Sequence, residues 1–494
     1  MVRGLSFFKD VQLTFKFVLA IIFIKVAACF AYYWFYFIYS PGGVKGDSND
    51  TLLGAEIIYK AFSQNKADFF KMVLGLHSDL TSDPLYENYF KHIADWGDSD
   101  STREFFLNDN RTSTRFHALV RLFSGGHYPT HALVMLVVSF TGQFAFYKAF
   151  KSYFPGKEKL LALVIFISPS VLFWSSGILK EPLALALLGL FVYAFFKLFA
   201  QYRYRLKYIL VLLGSFFFFA VLKPYILAIV LFPLILFVLV KRFQIKRVFL
   251  FYVTSLSLIY GSCVLILKYA FHKDVINTIV VRQNDFISLS KGGVFFVNDR
   301  NYLRLEYTDV RQYELIDSAN YICKLKPHVS LMYWDLDHLR DTVFVADNHD
   351  TSLYKLISIN KPAGSGIHMD RLQYSFSSFA KLIPLSFYNV LCRPFFYDAR
   401  SGAELVASME NLIFLLFIVV CIIYRSRTPI DKNLLVFCIT VVILAFLLIG
   451  ITTTVTGAIV RYKVPFVPFL LMIPLLYLDS AVLLKNKVVK WFLG

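Results

Sequence analysis

Apolar residues occur along this chain in long, nearly unbroken runs separated by short polar stretches. A hydrocarbon layer about 30 Å thick asks for roughly 20 apolar residues per crossing helix. Runs at about 15–39, 129–149, 160–176, 181–200, 207–221, 225–240, 248–269, 405–424, 433–452 and 464–484 meet or approach that length, so about ten transmembrane helices are predicted. The fifth and sixth runs are short, and Pro224 marks either their boundary or the break in a tilted hairpin. The run from Phe15 to Tyr39 is long enough to span and lacks a small-residue cleavage site, so it reads as a first span and not as a removable signal.

Two long segments interrupt the runs. Residues 40–128 open with Pro41, Gly42 and Gly43 and are rich in Asp, with apolar positions that suggest short helices lying on a membrane. Within them, Arg111 to Phe123 alternates cations and apolar residues at helical spacing and predicts an interfacial helix. Residues 270–404 are of mixed polarity, punctuated by Lys361-Pro362-Ala363-Gly364, and predict a small extracytoplasmic domain whose close, Phe376 to Phe396, lies against or dips into the bilayer. The expected fold is an all-α polytopic membrane protein in three parts: a transmembrane module over 1–269 containing the first outer loop (40–128), the segment 270–404, and C-terminal helices over 405–494.

Composition agrees. With 57% hydrophobic residues and a mean hydropathy of +0.59, the 494 residues carry more apolar surface than a soluble core would bury. The net charge of +18 would suit nucleic acid, but most Lys and Arg sit in short loops between apolar runs, as membrane topology requires. Arg3, Lys9 and Lys16 precede the first span; Lys151, Lys157 and Lys159 follow the second; Arg203, Arg205 and Lys207 follow the fourth. Lys241, Arg242, Lys246 and Arg247 follow the sixth, Arg425, Arg427 and Lys432 the eighth, and Lys485, Lys487 and Lys490 the tenth. With both termini in the cytoplasm all six clusters are cytoplasmic, which predicts a multi-pass protein of the cytoplasmic (inner) membrane with no nucleic-acid partner. Four of the six cysteines, Cys29, Cys263, Cys421 and Cys438, lie in apolar runs; Cys323 and Cys392 fall outside, which allows one disulfide between them.

The same threading leaves some cations on the opposite face. Lys180, Lys223 and the Arg461/Lys463 pair each sit in a short turn between apolar runs expected on the outer side. Each alone reads as a snorkelling side chain at a helix end. As a set they predict an anion site, where Arg grips a phosphate through paired N–H donors and Lys serves as a point charge. Arg393, in Arg393-Pro394-Phe395-Phe396-Tyr397-Asp398, is a further outer cation, and Glu181 either pairs with Lys180 or offers a carboxylate.

Acidic candidates follow the first run in Gly46-Asp47-Ser48-Asn49-Asp50, ahead of a helical pattern over Thr51 to Tyr59. Asp47 and Asp50 are either helix caps or a general base toward a hydroxyl acceptor. Asp98-Ser99-Asp100 has the form of a divalent-metal motif but reads as a solvated loop, so no metal ligand set is assigned and the need for a divalent ion stays open. His127 and His131 flank Tyr128-Pro129 as proton shuttles or amphipathic anchors. The sequence holds no GxSxG, Walker or HExxH pattern, which leaves ATP-driven transport and metalloprotease chemistry without support.

The acidic stretch after the first span, the long first loop with an interfacial helix, and Arg461-Tyr462-Lys463-Val464-Pro465 leading into Phe466-Val467-Pro468-Phe469 together resemble the GT-C class of integral membrane glycosyltransferases, particularly the bacterial branch of protein mannosyltransferases and aminoarabinose transferases. The likeness covers roughly 10–240 and 450–475, and the late motif is similar to the RYxxP segment of such enzymes. It implies transfer of a sugar, with inversion, from a polyprenyl-phosphate donor to a cell-envelope glycan, lipid or protein acceptor, with no required cofactor and with membrane lipids as surroundings. Asp47 or Asp50 would be the base; Lys180, Lys223, Arg461 and Lys463 would hold the donor phosphate; Glu181, Arg393 and Tyr462 are further candidates. The chain departs from many members in having no adjacent acidic pair in the first loop, and 270–404 matches no part of the class. Alternatives are a flippase or transporter of lipid-linked oligosaccharide, and a polysaccharide repeat-unit polymerase. A transporter calls for polar residues along the spans, and the runs read as nearly free of them.

Overall fold

The computed structural model describes residues 6–8, 10–39, 47–76, 84–93, 109–290, 294–298, 301–304, 313–328, 330–335, 340–345, 352–358, 363–479 and 482. Gly46, Asp98-Ser99-Asp100, Lys361, Pro362 and the terminal cations Arg3, Lys9, Lys485, Lys487 and Lys490 lie outside them. The helices are α1 (Phe15–Tyr33, continued by a π-helical turn Trp34–Tyr39), α2 (Asp47–Gln64), α3 (Lys66–Leu74), α4 (Pro84–Asn88), α5 (Asp109–Ser124), α6 (Tyr128–Phe150), α7 (Glu158–Phe166), α8 (Pro169–Trp174), α9 (Lys180–Phe195), α10 (Leu206–Leu222), α11 (Pro224–Phe243), α12 (Val248–Ala270) and α13 (Val275–Ser290). Strands β1 (Val294–Asn298), β2 (Asn301–Arg304), β3 (Tyr313–Asp317), β4 (Ile322–Leu325), β5 (Ser330–Asp335), β6 (Arg340–Val345) and β7 (Tyr354–Ser358) precede α14 (Phe376–Cys392), α15 (Gly402–Ile423), α16 (Lys432–Thr452), α17 (Thr456–Tyr462) and α18 (Val467–Tyr477).

Among the described residues, seven helices are long and apolar enough to cross a membrane, or eight if Thr456–Tyr462 and Val464–Tyr477 form one span. The chain is thus a largely helical polytopic membrane protein. The run at 160–176 is divided into α7 and α8 because Pro169 has no N–H to donate and its ring disfavours helix at Ser168. The run at 207–221 becomes the 17-residue α10. Helix starts follow local chemistry: the Thr14 side chain accepts from Phe17 N at the start of α1, and prolines stand in the first turns of α6, α8 and α11, where a missing N–H costs nothing.

The chain divides into two compact units, the first holding Met1–Ser257, Leu412–Ala445 and Val464–Gly494 and the second Leu258–Asn411 and Phe446–Lys463. In the first, α6 packs chiefly on α9, and a Cβ at Gly189 would lie 1.8 Å from Gly142 O, so the two backbones touch. Aromatic rings from Phe150, Phe196, Phe237, Phe437 and Phe469 fill the core beside them. Residues of α2, α3 and α5, with Phe90 from the turn after α4, share a small apolar core of Ala55, Ile58, Phe69, Met72, Phe90 and Ala118. The helix expected to carry its cations outward is α5, and it turns two of them in: Arg111 and Arg115 are buried, with Arg111 4.3 Å above the Phe90 ring, while Arg121 pairs with Glu56 at 3.1 Å. Leu119, Leu122 and Phe123 are exposed instead.

The second unit contains an element that the apolar runs do not announce, a seven-stranded antiparallel sheet in the order β3-β4-β7-β1-β2-β5-β6. Its strands are four to six residues long, so their alternation is weak against the surrounding polar sequence. Cys323, buried in β4 with its thiol on Tyr354 O, and Cys392 at the end of α14 are both free thiols, so the disulfide that the topology allows is not formed. At the start of α15, Glu404 N–H donates to Ser401 Oγ, the cap, while Glu404 Oε2 accepts from Arg400 N, the residue before the cap.

Candidate functional site

Asp47 is the first residue of α2 and Asp50 completes its first turn; both are half-buried. What places this acidic turn is Tyr32, on the face of α1 that turns inward. Its hydroxyl is 2.9 Å from Ser48 Oγ, and both residues are buried. On its other side the Tyr32 ring fills the place a side chain would take at position 177: a Cβ on Gly177 would meet Tyr32 Cζ at 2.4 Å. Phe173 and Tyr36 complete the packing, with ring centroids 5.1 Å and 4.6 Å from that of Tyr32. Three residues beyond Gly177, Lys180 opens α9, half-buried, followed by the buried Glu181. One tyrosine thus touches both the acidic turn and the turn that leads to Lys180.

Below Tyr32 the same face of α1 carries Cys29 and Lys25, at spacings of three and seven that keep them in line on a helix. Cys29 lies beside the Ser176 side chain, whose hydroxyl donates to Leu172 O at 2.6 Å. Lys25 is fully enclosed and donates from Nζ to Gln143 Oε1 at 2.8 Å and to Ser175 Oγ at 2.7 Å. The Gln143 amide is fixed in that sense because its Nε2 donates to Ile165 O at 2.8 Å. A lysine near the middle of a span costs about 3 kcal/mol on insertion scales, and both of these acceptors are neutral. Sequence reading passes over Lys25 because one cation in a run of mean hydropathy 2.1 leaves the run intact. The signal that finds it is that same lone cation, since an ionisable residue inside a span needs a reason. Gln143 also borders a void of about 10 Å³, room for no more than one water.

Lys223 stands between α10 and α11 with extended φ of −150°, 8% exposed, its Nζ 5.8 Å from the Tyr225 ring centroid. Protein encloses it, which differs from a side chain reaching outward to headgroups. Asp47, Asp50, Lys180, Glu181 and Lys223 belong to the first unit; Arg393, Arg461, Tyr462 and Lys463 belong to the second.

In the second unit Lys463 is also enclosed, 2% exposed, and donates to Asn411 Oδ1 at 2.9 Å. The Asn411 amide in turn donates to Cys392 O at 3.1 Å and Pro394 O at 3.2 Å, which holds the Arg393 segment to the Lys463 segment. The buried Glu410 carboxylate is an electrostatic neighbour of Lys463. Seven residues before Asn411, Glu404 Oε1 accepts from Thr456 Oγ1 at 2.8 Å, and Thr456 lies seven residues before Lys463. Half-buried Arg393 faces Asp398, Nε to Oδ2 3.6 Å, and Tyr462 meets Phe286 edge-on with centroids 6.0 Å apart.

Of the two histidines flagged in the sequence, His127 is exposed and His131 is buried. The partner of His131 is His117 of α5, Nδ1 to Nδ1 2.9 Å, with Ser124 Oγ 2.9 Å from His131 Nε2. Burial, and then the proximity of His131, push His117 down to about 3. His117 Nε2 has no acceptor among the described residues, so its proton belongs on Nδ1, where His131 Nδ1 accepts it. His131 then donates from Nε2 to Ser124 Oγ, which also accepts from Gly126 N at 3.1 Å. The chain therefore runs toward Ser124 and does not draw a proton from it, so this trio is a clamp between α5 and α6 and not an activated serine. Among the described residues no group of three His, Cys, Asp or Glu side chains is arranged to hold a metal ion.

No protein-family model, curated protein or solved structure matches the chain. The chemistry available is accordingly read from the residues themselves: carboxylates at the start of α2 and a lysine at the start of α9, whose turns Tyr32 joins, in a protein with several membrane-crossing helices.

Proposed function

We propose that the chain is a membrane glycosyltransferase that moves a sugar from a polyprenyl-phosphate donor to a cell-envelope glycan, lipid or protein acceptor on the outer face of a bacterial cytoplasmic membrane, with about ten spans and both termini inside. The observation that carries this reading is the contact of Tyr32 with both Ser48 and Gly177, which sets the Asp47–Asp50 turn beside the approach to Lys180. A carboxylate at a helix N-terminus stays ionised and can take a proton from an acceptor hydroxyl. The freed oxygen attacks the anomeric carbon, the bond from that carbon to the phosphate oxygen breaks, and the electron pair leaves with the lipid phosphate. Lys180, and Lys223 at the start of α11, supply positive charge where that phosphate departs. Arg461 and Lys463 form a second cationic group assigned to the donor by the likeness of their motif, with Tyr462, Arg393 and Glu181 as supporting candidates.

The test is transfer from radiolabelled polyprenyl-phosphate mannose or glucose in membranes containing the chain, with Asp47→Asn and Asp50→Asn compared singly and together. At least one single variant should lose transfer at equal expression. Full transfer by the double variant rules out the carboxylate base and with it this mechanism.

One observation favours a second reading, a flippase of lipid-linked oligosaccharide. Lys25, Gln143 and Ser175 place a polar cluster inside the spans, so the spans are less bare than the apolar runs suggest. A flippase predicts movement of labelled lipid-linked sugar across vesicles with no glycosidic bond made or broken.

A further inference from the structure

The geometry points to Lys25 as a positioning residue that sets the distance between the acidic turn of α2 and the Lys180 turn of α9, an inference that rests on the reading of those turns as one site. Three contacts at consecutive residues of one segment meet three positions on one face of α1. Ser175 accepts from Lys25, Ser176 sits beside Cys29, and Gly177 lies against Tyr32. Helical rise puts Lys25 and Tyr32 about 10 Å apart along the axis, so the segment 175–177 is held to α1 at both ends of a two-turn stretch. At the lower end Lys25 links the segment to α6 through Gln143, which is itself locked by Ile165 O. Ser139 adds a hydrogen bond to Ser175 O at 3.2 Å, tying the same segment to α6 a second time.

The upper end carries the consequence. Tyr32 reaches Ser48, the second residue of α2, and Gly177 is three residues from Lys180. If residues 175–177 slide along α1, Gly177 leaves the Tyr32 ring and the two turns separate. Lys25 is too deep to meet a substrate at either turn; it acts on them through Ser175. Methionine would fill the space but leave Gln143 Oε1 without its donor, so the amine does more there than pack.

The test uses the full-length protein in lipid nanodiscs, with Cys263 and Cys392 replaced by Ser and spin labels at Leu53→Cys on α2 and Leu183→Cys on α9. In the parent the distance distribution should be narrow; Lys25→Met should broaden it or shift it by about 3 Å, roughly the 3.3 to 3.6 Å reach of one extended residue. Ser175→Ala, which breaks the Lys25–Ser175 bond while Lys25 keeps Gln143, should produce a smaller change of the same kind and decides the matter if Lys25→Met does not fold. A distribution unchanged in both overturns the proposal. In the transfer assay with polyprenyl-phosphate mannose or glucose, a misplacement of this kind should lower kcat by up to roughly a hundredfold with KM within about twofold; a rise in KM with kcat intact also overturns it. If the distances move as expected while the parent transfers neither sugar, the glycosyltransferase reading fails and the mechanical role of Lys25 stands.

Discussion

Substituting Gly189 by Ala tests the closest backbone approach in the first unit. The new methyl would lie 1.8 Å from Gly142 O and 2.4 Å from Gly142 C. Ordinary contact begins near 3.4 Å, so α6 and α9 must part locally by about 1.6 Å. The obstructing atoms are backbone, which cannot rotate away as a side-chain end can. Overpacking a close-packed interface costs about 1–3 kcal/mol, and a backbone obstacle puts Gly189→Ala at the upper end, near a factor of roughly 150 in the folding equilibrium. The controls are Gly214→Ala in α10 and Gly261→Ala in α12, where a Cβ meets nothing within 4 Å. These two should be neutral or gain up to about 1 kcal/mol from helix propensity. Thermal unfolding of the detergent-purified protein, with steric trapping in bicelles for the free energies, gives the comparison. Equal midpoints for Gly189→Ala and Gly214→Ala would refute the close approach of α6 and α9, and with it the rigid frame on which the Lys180 turn is mounted.

Acid should weaken the clamp between α5 and α6. An unfolded chain protonates its histidine below about 6.5, whereas His117 in the native protein resists until about 3, so stability is present above 6.5 and is lost as pH falls through that window. From pH 7 to pH 5 the loss attributable to His117 is roughly 2 kcal/mol at about 1.4 kcal/mol per unit; His117→Gln should remove that part of the slope, and an unaltered slope would count against the assignment. The free thiols offer a second check. Mass spectrometry of non-reduced protein should find Cys323 and Cys392 unlinked. Burial pushes the Cys323 thiol up to about 11, so maleimide at pH 7 should label half-buried Cys392, outside the spans, well before Cys323, and the reverse order would contradict the packing of β4.

The membrane class was legible because apolar runs of span length are a first-order signal, and the starts of α6 and α11 because proline at a helix start leaves a local mark, whereas the break that Pro169 makes in the run at 160–176 was passed over. The sheet was not legible: strands such as Asn301–Arg304 and Ile322–Leu325 are too short for alternation to stand out, and what joins them is pairing between distant residues. Asp47, Asp50 and Lys180 could be picked out by charge and position, but nothing local shows that Tyr32 connects their turns. The burial of Lys223 and Lys463 was hidden for the same reason, since a cation in a turn looks alike whether it points to lipid headgroups or into protein. Arg111 and Arg115 show the limit of helical patterning, which finds two faces on α5 without saying which one the fold will cover.

The bonds from Thr456 to Glu404 and from Lys463 to Asn411 span the same interval, 52 residues each. During synthesis α15 therefore enters the bilayer carrying a carboxylate and a carboxamide whose partners have not yet been made. For the time it takes to translate that interval, Glu404 has its Arg400 contact but not its hydroxyl donor, and Asn411 has no lysine to receive. When α17 arrives, a shift of one helical turn would mismatch both bonds at once. The two pairs act as a two-pin key for the order of assembly, holding the nascent helices in an unfinished state that only the correct late segment can close.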